Sequence, residues 1–397
     1  MFMPRWPRAL TGGAVTLGLC TLMVVTAASP ALAGRVSISK FTPGRAMYDA
    51  GVPNTLTALD AANVAAASTK LKTFSAPVTD TGTTYKYVIV GKNPAVASTN
   101  ASTTVETLLI PLNIVFPTVA NWDPTAADSC DASASALVRT QNSPIFQSQS
   151  WTWGGTAIGT GQYVDAFQRA SFWTYANPAG INPGYHVNLG LTTLATQTVD
   201  VPANKSAVHA IGCGNGLLGA VEVNWLDGYL KNTLIPSLAP LGVAPNTFPI
   251  FLVHNVVEYI NKAANCCVLG YHNAYKPTPT TLQTYAVSIY DNSGAFGSQS
   301  ADISTLSHEV AEWMDDPNTH NKTRAWGHIG QVRTCQANLE VGDPLSGTTF
   351  SDIVGGFTYH PQELAFASWF FRQAPSLGVN GWYSNQGTFT TTQVTCV

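Results

Sequence analysis

The stretch S-H-E-V-A-E-W-M-D-D-P, from Ser307 to Pro317, decides how this chain is read. Placed on a helix from Ile303 to Asp316, Ile303, Leu306, Val310, Trp313 and Met314 share one arc of roughly 100°, the width of a core-facing stripe. His308, Glu312, Asp315, Asp316, Thr305 and Glu309 gather on the opposite side. Asp302 or Ser300 is placed to cap the start, and Pro317 ends the helix just beyond Asp316. The plain alternative is a half-exposed helix whose acids simply face water.

His308 and Glu312 are four residues apart, so their side chains project together and can grip one ion. Glu309 lies beside the pair, close enough to act on a water bound to that ion. The pattern H-E-x-x-E differs by one residue from the H-E-x-x-H helix of zinc metallopeptidases.

The rest of the chain frames this site. It has 397 residues, 10% charged and 45% hydrophobic, with a net charge of −3. That balance fits a globular protein and gives no electrostatic case for nucleic acid or an acidic membrane surface. Arg5 and Arg8 precede an apolar run from Ala9 to about Ala28. Ala31-Leu32-Ala33 then supplies a small-x-small cleavage site, so residues 1–33 read as a signal peptide and the mature chain as secreted or extracytoplasmic, with no membrane association after signal removal. Besides Cys20, six cysteines remain: Cys130, Cys213, Cys266, Cys267, Cys335 and Cys396. An even set in an exported chain implies disulfides. Cys266 and Cys267 are adjacent and are expected to pair elsewhere rather than with each other.

Residues 34–82 read as an N-terminal arm or pro-segment with one helix from Leu56 to Leu71, and residues 83–397 as one domain. Strands are expected at Tyr85 to Val90, Thr107 to Phe116 (with Pro111 marking an edge or bulge), Tyr185 to Leu189, Phe248 to His254, Val256 to Tyr259 and Thr284 to Tyr290. Helices are expected at Gln162 to Phe172, Val221 to Leu238 and Gln362 to Phe371, with a loop at T-W-G-G-T. Asn318 to Thr349 reads as a long irregular segment, and a last strand runs to Cys396. The expected fold class is α+β: a zincin-like metallopeptidase domain with a mixed sheet beside the active-site helix.

A catalytic zinc takes three protein ligands. His308 and Glu312 supply two, and Glu340 in L-E-V-G-D-P is the first choice for the third. Asp343, Asp316, His328 and His320 are rivals, Asp343 also as a partner orienting a ligand. Zn²⁺ with His308, Glu312 and Glu340 is formally neutral; two carboxylates make a harder site, so calcium and manganese are alternatives. His186, His254 and His272 sit in or beside apolar strands and read as core histidines. His360 and Tyr359 are candidates for stabilising an oxyanion. A Ser-His-Asp site lacks any G-x-S-x-G.

H-E-V-A-E-W-M-D-D-P, then Trp326, then L-E-V-G-D resembles a pattern in secreted phosphate-induced (Exordium-like) proteins and their bacterial relatives. There a run similar to H-E-x-A-E-x-x-x-D/N-P precedes a Trp and an E-x-x-D ahead of a Cys. The matching positions are His308, Glu309, Ala311, Glu312, Asp316, Pro317, Trp326, Glu340 and Asp343. Pro344 and Leu345 follow where the pattern has its Cys. The resemblance spans mainly Cys266 to Asp343 and implies a zincin-like motif without fixing an activity.

The function expected is therefore an exported metal-dependent hydrolase, a zinc peptidase in which Glu309 is the general base for metal-activated water and the substrate is a peptide or protein. The alternative is a non-catalytic secreted cell-surface or binding protein with a structural or lost metal site. A carbohydrate-binding surface, suggested by ten tryptophans, ranks last.

Overall fold

Strand Phe248–His254 alternates its side chains between two cores, and this places everything else. Phe248, Ile250 and Leu252 enter one core with the apolar stripe of the site helix, while Phe251 and Val253 enter a second. All seven residues of the strand are buried, as its unbroken apolar run requires. The computed structural model describes residues 38–40 (backbone only), 70–375, 378–392 and 396. The expected signal peptide, most of the expected arm, its helix except for residues 70 and 71, and the end of the last expected strand lie outside them. The described residues belong to one compact unit, Gly34–Val397.

Phe248–His254 runs parallel to Ser102–Phe116 on one side and to Thr281–Tyr290 on the other. Gly270–Thr278 then pairs antiparallel with Thr281–Tyr290, giving a mixed sheet within an α+β fold. Pro111, expected to mark an edge or a bulge, sits inside this sheet at an interruption of the pairing. On one side it occupies the last pairing position, opposite Leu252, and on the other it falls between His186–Thr193, which pairs as far as Leu109, and Gln197–Asp200, which starts at Leu112. The missing N–H therefore falls at a break in the ladder. A second sheet, containing Ser206–Ala210, Leu217–Glu222 and Val256–Tyr259, contributes to the other core with helix Val223–Tyr229.

Several local expectations change. The position expected to divide arm from domain, near residue 82, is the tip of a hairpin joining Thr73–Asp80 to Thr83–Val90. T-W-G-G-T is a hairpin turn, with Gly154 and Gly155 both at positive φ between Gln149–Trp153 and Thr156–Gly161. The segment expected to be irregular holds a hairpin, Lys322–Ile329 with Val332–Asn338. Only Ala367–Phe370 of the expected C-terminal helix is helical, because Gln362 to Phe366 runs extended against the site helix. Cys266 and Cys267 do pair with each other: the peptide between them is cis, which brings their Cα atoms to 3.0 Å. Cys130–Cys213 and Cys335–Cys396 complete the set. Among the described residues, no helix is long and apolar enough to cross a membrane.

Candidate metal centre

The site helix is Ser304–Asp315, within one residue of the expected ends. Every residue of it is buried, polar face included, so the alternative of a solvated acidic face does not hold. Trp313 stacks on Phe248 at 3.6 Å and donates its indole N–H to Thr284 Oγ1, locking the apolar stripe to the sheet. Gly270 permits this approach; a Cβ there would stand 2.6 Å from Thr305 Cγ2. The helix start carries no side-chain cap, because Asp302 is turned to His360, 2.6 Å from its Nδ1.

The polar face is covered by strand Gly270–Thr278, the loop around Gly342 and Gln362. Glu312 Oε1 accepts the backbone N–H groups of Gly342 and Asp343, at 3.0 and 3.1 Å. Its other oxygen, Oε2, lies 3.0 Å from His308 Nε2 and 3.7 Å from His272 Nδ1. The Gln362 amide N–H₂ donates to the Gly342 carbonyl at 2.7 Å, so Gln362 Oε1 must be the atom facing His308 Nδ1 at 3.1 Å. His308 Nδ1 therefore carries a hydrogen, and Nε2 faces a carboxylate oxygen at 3.0 Å. An imidazole nitrogen and a carboxylate oxygen at this distance share a proton, which a cation can replace. Gly342 makes this possible: a Cβ there would lie 2.3 Å from His308 Nδ1.

Two groups of three donors result, His308 with Glu309 and Glu312, and His272 with Glu312 and Glu340; within each, the ligand atoms lie within 4.8 Å of one another. Glu309 Oε2 is 3.5 Å from His272 Nδ1, and Glu340 Oε2 is 4.0 Å from His272 Nε2. Asp343 Oδ1 is 3.7 Å from His308 Nε2, but both its oxygens already accept side-chain amides, from Gln331 and from Gln336. It thus stands as an orienting neighbour.

Burial opposes charge on His308, yet Glu312 and Asp343 outweigh it and raise its pKa. Burial takes His272 the other way, down to about 4, so at neutral pH it is an uncharged imidazole able to bind metal. Burial, then the charge of Glu312, pushes Asp343 up to about 8. Four acids thus crowd two imidazoles in a closed space. Nitrogen and carboxylate donors at this spacing fit a divalent cation, zinc among them.

The other expected residues lie elsewhere. Asp316 accepts the backbone N–H groups of His320 and Asn321, both at 2.9 Å, and turns the chain after the helix. His320 Nδ1 lies by its neighbour's carbonyl, 2.8 Å from Thr319 O. His328 is on an exposed hairpin, 3.7 Å from the disulfide sulfur of Cys335, so neither replaces a ligand. Tyr359 donates to Arg139 O and His360 is held by Asp302, away from the cluster. His254 is a buried core group as expected, its Nε2 3.0 Å from Asn292 Oδ1, whereas His186 is partly exposed and pairs with Asp165 at 2.7 Å. His272 is the exception, since neither ring nitrogen has a hydrogen bond of ordinary geometry. His272 and Gln362 are the site residues that sequence reasoning passed over. The polar pair His272-Asn273 directly after the apolar run V-L-G-Y was the available signal.

No family model matches this chain, and neither the curated proteins nor the solved structures contain a match.

Proposed function

We propose that this chain is an exported metal-dependent hydrolase of the zinc-peptidase type, with the cation held by His308 Nε2, Glu312 Oε2 and His272, and Glu340 as a further donor. The observation that carries this reading is the convergence of His308, Glu309 and Glu312, and of His272, Glu312 and Glu340, with the ligand atoms of each group within 4.8 Å of one another. Zinc bound there supplies a Lewis acid that acidifies water and polarises a carbonyl. Glu309 accepts the proton from the attacking water and returns it to the leaving amine. Gln362, anchored on the Gly342 carbonyl, holds the His308 ring in one orientation, while the two backbone N–H groups on Glu312 Oε1 leave one oxygen for binding. Export rests on the signal-like N-terminus and the three disulfides, and the resemblance to Exordium-like secreted proteins belongs to the same reading.

One observation favours a second reading, a purely structural metal in a non-catalytic secreted protein: His308, Glu309 and Glu312 are all 0% exposed. Closed sites are the usual form of structural zinc. Elemental analysis of the purified protein, together with a peptide-library digest, separates the two. Stoichiometric metal with cleavage that Glu309→Gln removes supports the hydrolase. Stoichiometric metal without cleavage, and unfolding on chelation, supports the structural metal. Unchanged metal in His308→Ala, Glu312→Ala, His272→Ala and Glu340→Ala overturns both.

A further inference from the structure

Two turns beyond His308, about 10 Å along the same helix, Asp315 lines a cleft of about 240 Å³ that contains none of the proposed ligands. Four aromatic rings line it among aliphatic and small polar side chains: Tyr87 from the Thr83–Val90 strand, Phe172 and Tyr175 after helix Tyr163–Ser171, and Phe371. Tyr87 and Phe371 stand 6.1 Å apart between ring centres. No Lys or Arg is among the lining residues.

Asp315 is 0% exposed. Its Oδ1 accepts the amide N–H of Gln168 at 2.8 Å, but its Oδ2 has no hydrogen-bond partner. Gln168 Oε1, on the amide that donates to Asp315, also lacks one. Two buried acceptors without a donor, beside aromatic faces and without a basic neighbour in the lining, describe a place for a group that brings its own N–H bonds and positive charge.

We infer that this cleft binds a small alkylammonium group, with its N–H directed at Asp315 Oδ2 and its carbon chain against Tyr87, Tyr175, Phe172 and Phe371. The volume suits a side-chain-sized amine rather than a whole cofactor. Asp315 is closed to bulk water, so an ammonium that meets it is desolvated, the condition in which cation–π contacts and charged hydrogen bonds are strongest. Burial pushes the Asp315 carboxyl up to about 7, and a bound ammonium would hold it ionised. The inference stands apart from the metal reading.

Calorimetric titration of the mature protein at pH 8 with n-butylammonium chloride, and with 1-pentanol as the neutral analogue, tests it. The expected result is saturable one-to-one binding of the ammonium and binding of the alcohol weaker by roughly tenfold or more, the scale of a charged hydrogen bond. Asp315→Asn should erase that preference, and Tyr175→Leu, on a partly exposed ring, should weaken ammonium binding several-fold. Equal affinity for the two guests, or no binding of either, overturns the inference. So does an Asp315→Asn protein that keeps the preference. Should that variant not fold, an unchanged affinity in Tyr175→Leu overturns it as well.

Discussion

Gly342→Ala tests the centre at the point where the backbone comes closest to it. Its φ of −86° suits any residue, so the substitution acts through space alone. The new methyl would lie 2.3 Å from His308 Nδ1 and 2.6 Å from Cε1 and Cγ. The ring cannot yield without leaving Gln362 Oε1, and the loop cannot yield without lifting the Gly342 and Asp343 N–H groups from Glu312 Oε1. Overpacking of this kind costs roughly 1–3 kcal/mol, and one lost hydrogen bond adds about 1 kcal/mol. The expected loss is therefore roughly 2–4 kcal/mol, read as a lower urea midpoint with an unchanged slope. Metal affinity, measured by competition with a chelating dye, should fall by roughly 10- to 100-fold, as when a partner orienting a ligand is removed. Stability within about 0.5 kcal/mol of wild type, with affinity unchanged, would refute the packing of this loop on His308.

Further outcomes follow from the same geometry. Glu309→Gln should retain metal and fold but lose roughly a hundredfold in peptide cleavage, measured as initial rates on a fluorogenic substrate; equal rates would remove Glu309 as the base. Asp315→Asn should gain stability relative to wild type as pH rises. Burial raises the folded carboxyl to about 7, above its unfolded value, so its stabilising contribution is complete below the unfolded pKa and is lost as pH climbs through 7. Urea midpoints of both proteins at pH 5 and pH 8 should show the difference, and parallel changes would contradict it. Thiol labelling of denatured, non-reduced mature protein should find none of the six cysteines free, and all six after reduction. Reducing Cys130–Cys213, which are 83 residues apart, should cost up to about 4.5 kcal/mol in the chain-entropy account; two or more labelled thiols before reduction would break that assignment.

The sequence by itself determined the site helix, because its signals are local. A 3.6-residue period and a following proline placed Ser304–Asp315 to within one residue, and a spacing of four put His308 beside Glu312. The buried strand Phe248–His254 was legible for the same reason, an uninterrupted apolar run of strand length. Periodicity gave a polar face but not what lies against it. That face is sealed by His272 from a neighbouring strand, by Gly342 and by Gln362, which lie 36, 34 and 54 residues from His308. His272 looked like a core histidine because its strand reads the same whether the imidazole meets a carbonyl or a cluster of acids. Gln362 looked helical because its aromatic neighbours fit either state, and docking against Ser307 and His308 decided for the extended one. Convergence of distant segments is settled by the order of strands in the sheet and by how closely a glycine lets two surfaces approach, and only the folded chain fixes those.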